Sequence, residues 1–138
     1  MDQSHAWLVV NARSGSNSEA AREHLEDALS RHDCAVSETI EFPDRTLPTR
    51  EELDRNQVRR LVVFTGDGTL NAIIEAATGW DGEILVLPGG TMNLLSTRLH
   101  GEDVDCETIL TRIARHAYRK VRPLMACCTA GRAHAGLL

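Results

Sequence analysis

The sequence predicts an α/β protein, a three-layer α/β/α fold around a mostly parallel sheet. Short apolar runs of strand length alternate along the chain with segments whose apolar residues recur at helical spacing. This alternation is typical of parallel sheets that carry helices on both faces. Glycine-containing turns also follow the carboxyl ends of predicted strands, where ligands bind in such sheets. Together these observations indicate a Rossmann-like architecture.

Length and composition are those of one globular domain. The chain has 138 residues, 42% hydrophobic and 25% charged, with a net charge of −5. The acidic balance argues against nucleic acid as a partner. Because no apolar run is long enough to cross a membrane and residues 1–5 do not resemble a signal peptide, we expect a cytoplasmic protein. The cysteines lack metal-ligand spacing and are expected to be free thiols: Cys34, Cys106, Cys127 and Cys128.

Two strands and two helices are predicted in the first half of the chain. Residues 6–10 form a short apolar run typical of a buried parallel strand, and 34–42 alternate loosely as a second strand. Between these strands, Ser16 and Glu19 have the spacing of a capping box at the start of a helix. After the second strand, residues 50–57 predict a short polar helix that packs little.

The second half of the chain continues the alternation. Residues 61–64 and 84–87 are predicted strands because each is a short, continuous apolar run. Helices are predicted at 70–77, where Gly79 ends the apolar stripe, and then at 92–99 and 104–117.

The turn Gly66-Asp67-Gly68-Thr69 carries the most chemical information. Its glycines permit a sharp turn and close approach of a ligand, and the following helix directs unpaired N–H groups and its positive dipole end at the turn. Such a turn suits a phosphate. Asp67 would place a carboxylate among phosphate oxygens, which makes sense if a divalent cation lies between them. The alternative is that Asp67 merely caps the helix.

Two more turns follow the ends of other predicted strands. In the turn 88–93, glycines again permit close backbone approach, although Thr91 could instead cap the next helix. The turn 11–16 holds Arg13, the nearest cation that could meet a phosphate, among residues that are also common in plain turns. The one lysine, Lys120, is far from these turns in sequence, so charge neutralisation would come from a cation, backbone amides or arginine.

At these turns the chain resembles the catalytic domain of the diacylglycerol kinase family, which includes sphingosine kinases and bacterial lipid kinases. That family carries an Asn-Pro-x-Ser/Ala-Gly loop, a Gly-Gly-Asp-Gly-Thr-x-Asn-Glu turn and a Pro-x-Gly-Thr-x-Asn-Asp turn, in this order. The corresponding residues here are 11–15, 65–72 and 88–94. The chain departs from the family pattern at Ala12, Thr65, Ala72 and Leu94, which replace proline, glycine, glutamate and aspartate.

The resemblance implies the ATP-binding domain of a Mg²⁺-dependent lipid kinase, which transfers the γ-phosphoryl group of ATP to a lipid hydroxyl such as that of diacylglycerol. Asp67 would then be the catalytic residue and would hold Mg²⁺ through water, and Glu75 would partly replace the missing glutamate. A lipid substrate also implies transient, peripheral contact with a membrane surface; the oligomeric state is left open. The nucleotide would contact Asn11, Arg13, Ser14, Gly15, Gly66, Gly68, Thr69, Asn71, Gly89, Gly90, Thr91 and Asn93.

By the same resemblance, residues 1–120 form the nucleotide-binding domain, and residues 121–138 either begin a second, β-rich domain or add a strand. In the family the second domain supplies the general base and much of the lipid site, so this chain alone is expected to bind nucleotide weakly and to transfer phosphate poorly. Two alternatives stay open. One is an enzyme like NAD kinase, which shares the Gly-Gly-Asp-Gly-Thr turn, and the other is a non-catalytic nucleotide-binding or regulatory module.

Overall fold

The strands and helices follow the predicted alternation. The computed structural model describes residues 5–11, 19–32, 34–89, 93–115, 124–127 and 133–136. The helices are α1 (Glu19–Arg31), α2 (Arg50–Arg55), α3 (Asp67–Ala76), α4 (Leu94–His100) and α5 (Cys106–Ala114). The strands are β1 (Ala6–Asn11), β2 (Val36–Phe42), β3 (Arg60–Thr65), β4 (Glu83–Pro88), β5 (Leu124–Cys127) and β6 (Ala133–Gly136). Within these ranges, no helix has the length and apolar character needed to cross a membrane.

Four strands form a fully parallel sheet in the order β2-β1-β3-β4. The chain leaves β1 for β2 on one side, returns to β3 on the other side, and continues outward to β4. This reversal places a switch point between β1 and β3, and in such sheets ligands bind outside the carboxyl ends of the strands at a switch point. The predicted mostly parallel α/β fold is confirmed.

Each face of the sheet has its own apolar core, because successive strand residues point to opposite faces. On one face, β1 and the neighbouring strands pack beneath α1 and α5; the buried residues there include Leu8, Val10, Leu25, Leu29, Ile109 and Leu110. On the other face lie α2, α3 and α4; the buried residues there include Val9, Ile40, Leu53, Ile73 and Leu95. The two cores and the sheet between them make up the predicted three layers.

Helix α2 packs on the sheet more closely than the sequence predicts. A polar helix that packs little was predicted here, but Leu53 is 0% exposed and belongs to the second core. Thr49 fixes the start of α2, because its hydroxyl accepts a hydrogen bond from the Glu52 backbone N–H at 3.3 Å. One apolar side chain therefore docks this helix on the sheet while its charged residues remain at the surface.

The last two strands form a second, smaller sheet. β5 and β6 pair with each other as an antiparallel two-stranded sheet and do not extend the parallel one. β6 approaches α3, the helix that begins in the turn Gly66-Asp67-Gly68-Thr69. That this hairpin begins a second, β-rich domain stays a prediction.

His100 holds the end of α4 against the edge of the sheet. Its Nε2 lies 2.8 Å from the backbone carbonyl oxygen of Val86 in β4. Burial lowers the pKa of His100; the bond to Val86 opposes this shift, and the nearby Arg112 guanidinium adds to it. The neutral imidazole is therefore the form that the folded protein favours.

Replacing Leu53 with alanine should destabilise the protein by about 2–5 kcal/mol, because it removes a fully buried side chain and leaves a cavity. The free energy of unfolding, measured by urea titration, checks this value. Glu51→Ala is the matched control, since Glu51 is an exposed residue of the same short helix and its loss should change the free energy of unfolding little. Equal stability of both variants would contradict the docking role of Leu53.

The protein should lose stability as the pH falls from about 7.5 to about 5.5, partly through His100. The folded-state pKa of His100 lies below the ordinary value of 6.5, so the unfolded chain binds the proton more readily. The stabilisation from the neutral imidazole is therefore present above pH 6.5 and is lost as the pH falls below 6.5. His100→Gln, whose amide can still donate to Val86, should show a smaller loss in urea titrations at the two pH values. An unchanged loss would show that His100 does not contribute.

Candidate functional site

The strands that precede the three turns singled out in the sequence all end at one edge of the sheet. These strands are β1, β3 and β4, which are parallel, so their carboxyl ends share that edge. That the three turns converge on a single cleft stays a prediction. Five of the predicted site residues lie outside the described part of the chain: Arg13, Ser14, Gly15, Gly90 and Thr91.

In chain order, the first turn is 11–16, the second turn is Gly66-Asp67-Gly68-Thr69 and the third turn is 88–93. A hydrogen bond across the switch point connects the first turn to the second. Asn11, the last residue of β1, donates from Nδ2 to Oγ1 of Thr69 at 3.1 Å. Thr69 lies in the first turn of α3, immediately after β3. The two predicted site residues therefore meet at the carboxyl ends of the paired strands β1 and β3.

The second turn leaves open space at the start of α3. Gly66 is the N-cap residue of α3 and has no side chain that could accept from the first N–H groups of the helix. These N–H groups point towards the turn, as they do at the start of any helix. Apart from its chain neighbours and the backbone of its own helix, a Cβ built on Gly68 would meet no atom of the described residues within 4 Å. Packing within the described chain therefore does not require glycine at position 68. Asn71 continues α3 as a half-buried residue.

Gly89, in the third turn, is a glycine for a different reason. A Cβ at this position would lie 2.5 Å from the Phe64 carbonyl carbon and 2.7 Å from the Thr65 backbone nitrogen. Such distances are far shorter than van der Waals contact, and both atoms belong to the backbone, which cannot easily move away. The absence of a side chain at Gly89 thus allows the end of β4 to pack directly on the end of β3.

The carboxylate of Asp67 caps α4, and not the helix in which Asp67 lies. The backbone N–H of Leu94 donates to Oδ2 at 2.9 Å, and that of Leu95 donates to Oδ1 at 3.2 Å. Asn93, the N-cap residue of α4, has a left-handed backbone (φ 51°, ψ 46°) and makes no side-chain cap. The cap considered from sequence is thus present, but it serves another helix and connects the second turn to the third.

Asp67 is the described carboxylate best placed to contribute to a cation. Among the described residues, no three His, Cys, Asp or Glu side chains cluster as metal ligands. Glu75, expected to compensate for Ala72, is exposed and lies about 12 Å further along α3 than Asp67, so the two carboxylates form no pair. Each carboxylate oxygen keeps a second lone pair beyond its bond to an amide. The donor set fits a Mg²⁺ ion only if waters and substrate phosphates supply most of the ligands.

Comparison with known proteins agrees with the geometry. The family model of the diacylglycerol kinase catalytic domain matches residues 5–126, which include the whole parallel sheet and helices α1 to α5. No individual curated protein matches the chain significantly. The family match favours the lipid kinases over the NAD kinases and supports a phosphotransferase of the kinase type. This chain therefore belongs to the diacylglycerol kinase catalytic domain family.

Proposed function

We propose that this chain is the ATP-binding domain of a Mg²⁺-dependent lipid kinase, which transfers the γ-phosphoryl group of ATP to a lipid hydroxyl such as that of diacylglycerol. The observation that supports the proposal is that β1, β3 and β4, the strands that precede the three turns, end at one edge of the sheet. Asn11 bonds to Thr69, and Asp67 bonds to the start of α4, so the turns are joined by side chains at the edge where such folds bind ligands.

The second turn is the proposed site for the phosphates. The amides of Gly66 and Gly68 and the hydroxyl of Thr69 would face them at the positive end of the α3 dipole. The open space beside Gly68 supports this role, because a phosphate can approach the backbone there. Asn11, Asn71, Gly89 and Asn93, together with the site residues outside the described part, complete the proposed nucleotide contacts.

Positioning and charge stabilisation are the proposed contributions to phosphoryl transfer. A bound Mg²⁺ would neutralise charge on the migrating phosphoryl group, and Asp67 would hold it through water. Where the family pattern has an aspartate, Leu94 presents an apolar side chain that is 59% exposed. The proposed cation contact of the described residues therefore depends on Asp67. The proposal includes a cytoplasmic location with transient, peripheral contact at the membrane that holds the lipid.

Calorimetric titration of the 138-residue chain with ATP, with and without Mg²⁺, tests the nucleotide site. We expect Mg²⁺-dependent binding, and slow phosphate transfer to diacylglycerol in mixed micelles, because a crevice open to water stabilises the transition state poorly. Binding without any transfer would favour a non-catalytic nucleotide-binding module. Phosphorylation of NAD in place of lipid would favour the NAD kinase alternative. No binding at about 1 mM ATP would contradict the proposal.

Gly68→Ala should stabilise the fold and weaken ATP binding. Alanine favours a helix by up to about 1 kcal/mol over glycine, and the added methyl group meets no protein atom within 4 Å. The same methyl group would occupy the space that the phosphates approach, so we expect about tenfold weaker binding, or about 1.4 kcal/mol. Urea titration and calorimetry measure the two effects. Glu75→Ala, an exposed change on the same helix, should leave ATP affinity unchanged. Unaltered affinity of Gly68→Ala would exclude the phosphates from this position.

A further inference from the structure

Asp67 makes a contact that its proposed role at the cation does not require. Both of its carboxylate oxygens accept backbone N–H groups of α4, from Leu94 and Leu95. These donors lie 27 and 28 residues further along the chain, beyond β4. The contact therefore joins two turns that are adjacent in space and distant in sequence.

Helix α4 depends on this contact for its start. The helix has seven residues, and its own N-cap residue, Asn93, makes no side-chain cap hydrogen bond to it. A helix this short is marginal without tertiary support. A carboxylate that accepts the first N–H groups satisfies the unpaired donors and interacts favourably with the helix dipole. His100 already holds the other end of α4 to β4, so Asp67 fixes the end that adjoins the third turn.

We propose that Asp67 is a positioning residue: by capping α4 it holds Asn93 and the start of that helix beside the second turn, so that a nucleotide meets contacts that are already arranged. The inference rests on the proposed nucleotide site and gives Asp67 a task in addition to the cation. The two tasks differ in one measurable respect. The cation role disappears when divalent metal is removed, whereas the positioning role remains.

ATP affinity in the presence of EDTA separates the two roles. Asp67→Ala removes both acceptor oxygens, and we expect it to weaken metal-free ATP binding about tenfold. Asp67→Asn keeps one acceptor oxygen, and we expect metal-free affinity within about threefold of the unaltered chain, with a larger loss once Mg²⁺ is added. A role at the cation alone would leave both variants unchanged in EDTA.

Amide hydrogen exchange tests the cap directly, without metal or nucleotide. In Asp67→Ala the N–H groups of Leu94 and Leu95 should exchange about tenfold faster than in the unaltered chain, because their acceptors are gone. Asp67→Asn should give intermediate rates. This second variant keeps the test decisive if Asp67→Ala fails to fold, which circular dichroism would show.

Asp105→Ala is the matched control for the loss of a carboxylate cap. Asp105 accepts from the Thr108 backbone N–H at 2.8 Å and so caps α5 as Asp67 caps α4. The start of α5 lies near the end of α1, because Glu107 contacts Arg31 there, and this is the edge of the sheet opposite the turns. The control should speed exchange at Thr108 and leave ATP affinity and the amides of α4 unchanged.

The outcomes are separable. Unchanged exchange at Leu94 and Leu95 in Asp67→Ala would overturn the capping role. Faster exchange with unaltered metal-free ATP affinity would overturn the positioning role and leave a purely structural cap. If the unaltered chain binds no ATP with or without Mg²⁺, the proposed function fails together with the positioning of nucleotide, while the exchange rates still decide whether Asp67 caps α4.

Discussion

The parallel pairing of β1 with β3 is the contact on which the rest of the structure depends. β1 lies between β2 and β3, and most of its residues are completely buried because both faces carry helices. Its register places Val10 opposite Phe64, so Asn11 reaches the point where β3 gives way to α3. The helices that follow β1 and β3 cover opposite faces of the sheet. A shift of this register would separate Asn11 from Thr69 and abolish the candidate site.

Much of this arrangement is predictable from sequence because its signals are local. Continuous apolar runs mark the buried parallel strands, and glycine turns after them mark the carboxyl edge. Leu53 was missed for a physical reason. It is the apolar residue in a charged helix of six residues, so no periodic pattern forms, and its burial is decided by the sheet face beneath it. The positions of the turns were thus predictable, whereas the packing of α2 required the structure.

The hydrogen-bond donors to Asp67 could not be predicted from the residues that adjoin it in sequence. Capping rules consider the helix that follows the candidate residue, and they correctly identify a carboxylate that accepts backbone N–H groups. The donors, however, belong to a helix that begins 27 residues later and approaches only because β3 and β4 are adjacent. The sequence also offered local candidates, since Asn93 is of a residue type that commonly caps helices and Thr91 was considered for the same role.

Two glycines of the site have different roles, which the sequence alone does not distinguish. Gly68 and Gly89 occur in similar turns and suggested the same role. The structure separates them, because the neighbourhood of Gly68 is open while Gly89 lies against the backbone of β3. The first is available to a ligand, and the second is required by the chain itself.

The dependence of α4 on distant residues has a consequence for the order in which the chain folds. Its start is held by Asp67 and its end by the carbonyl of Val86, so neither end is supported until β3 and β4 have paired. We therefore expect α4 to form after the sheet, and to open at a lower free energy than global unfolding requires. In mild denaturant α4 would detach from the second turn while the parallel sheet persists. Ligand binding by this chain would then be lost before its fold.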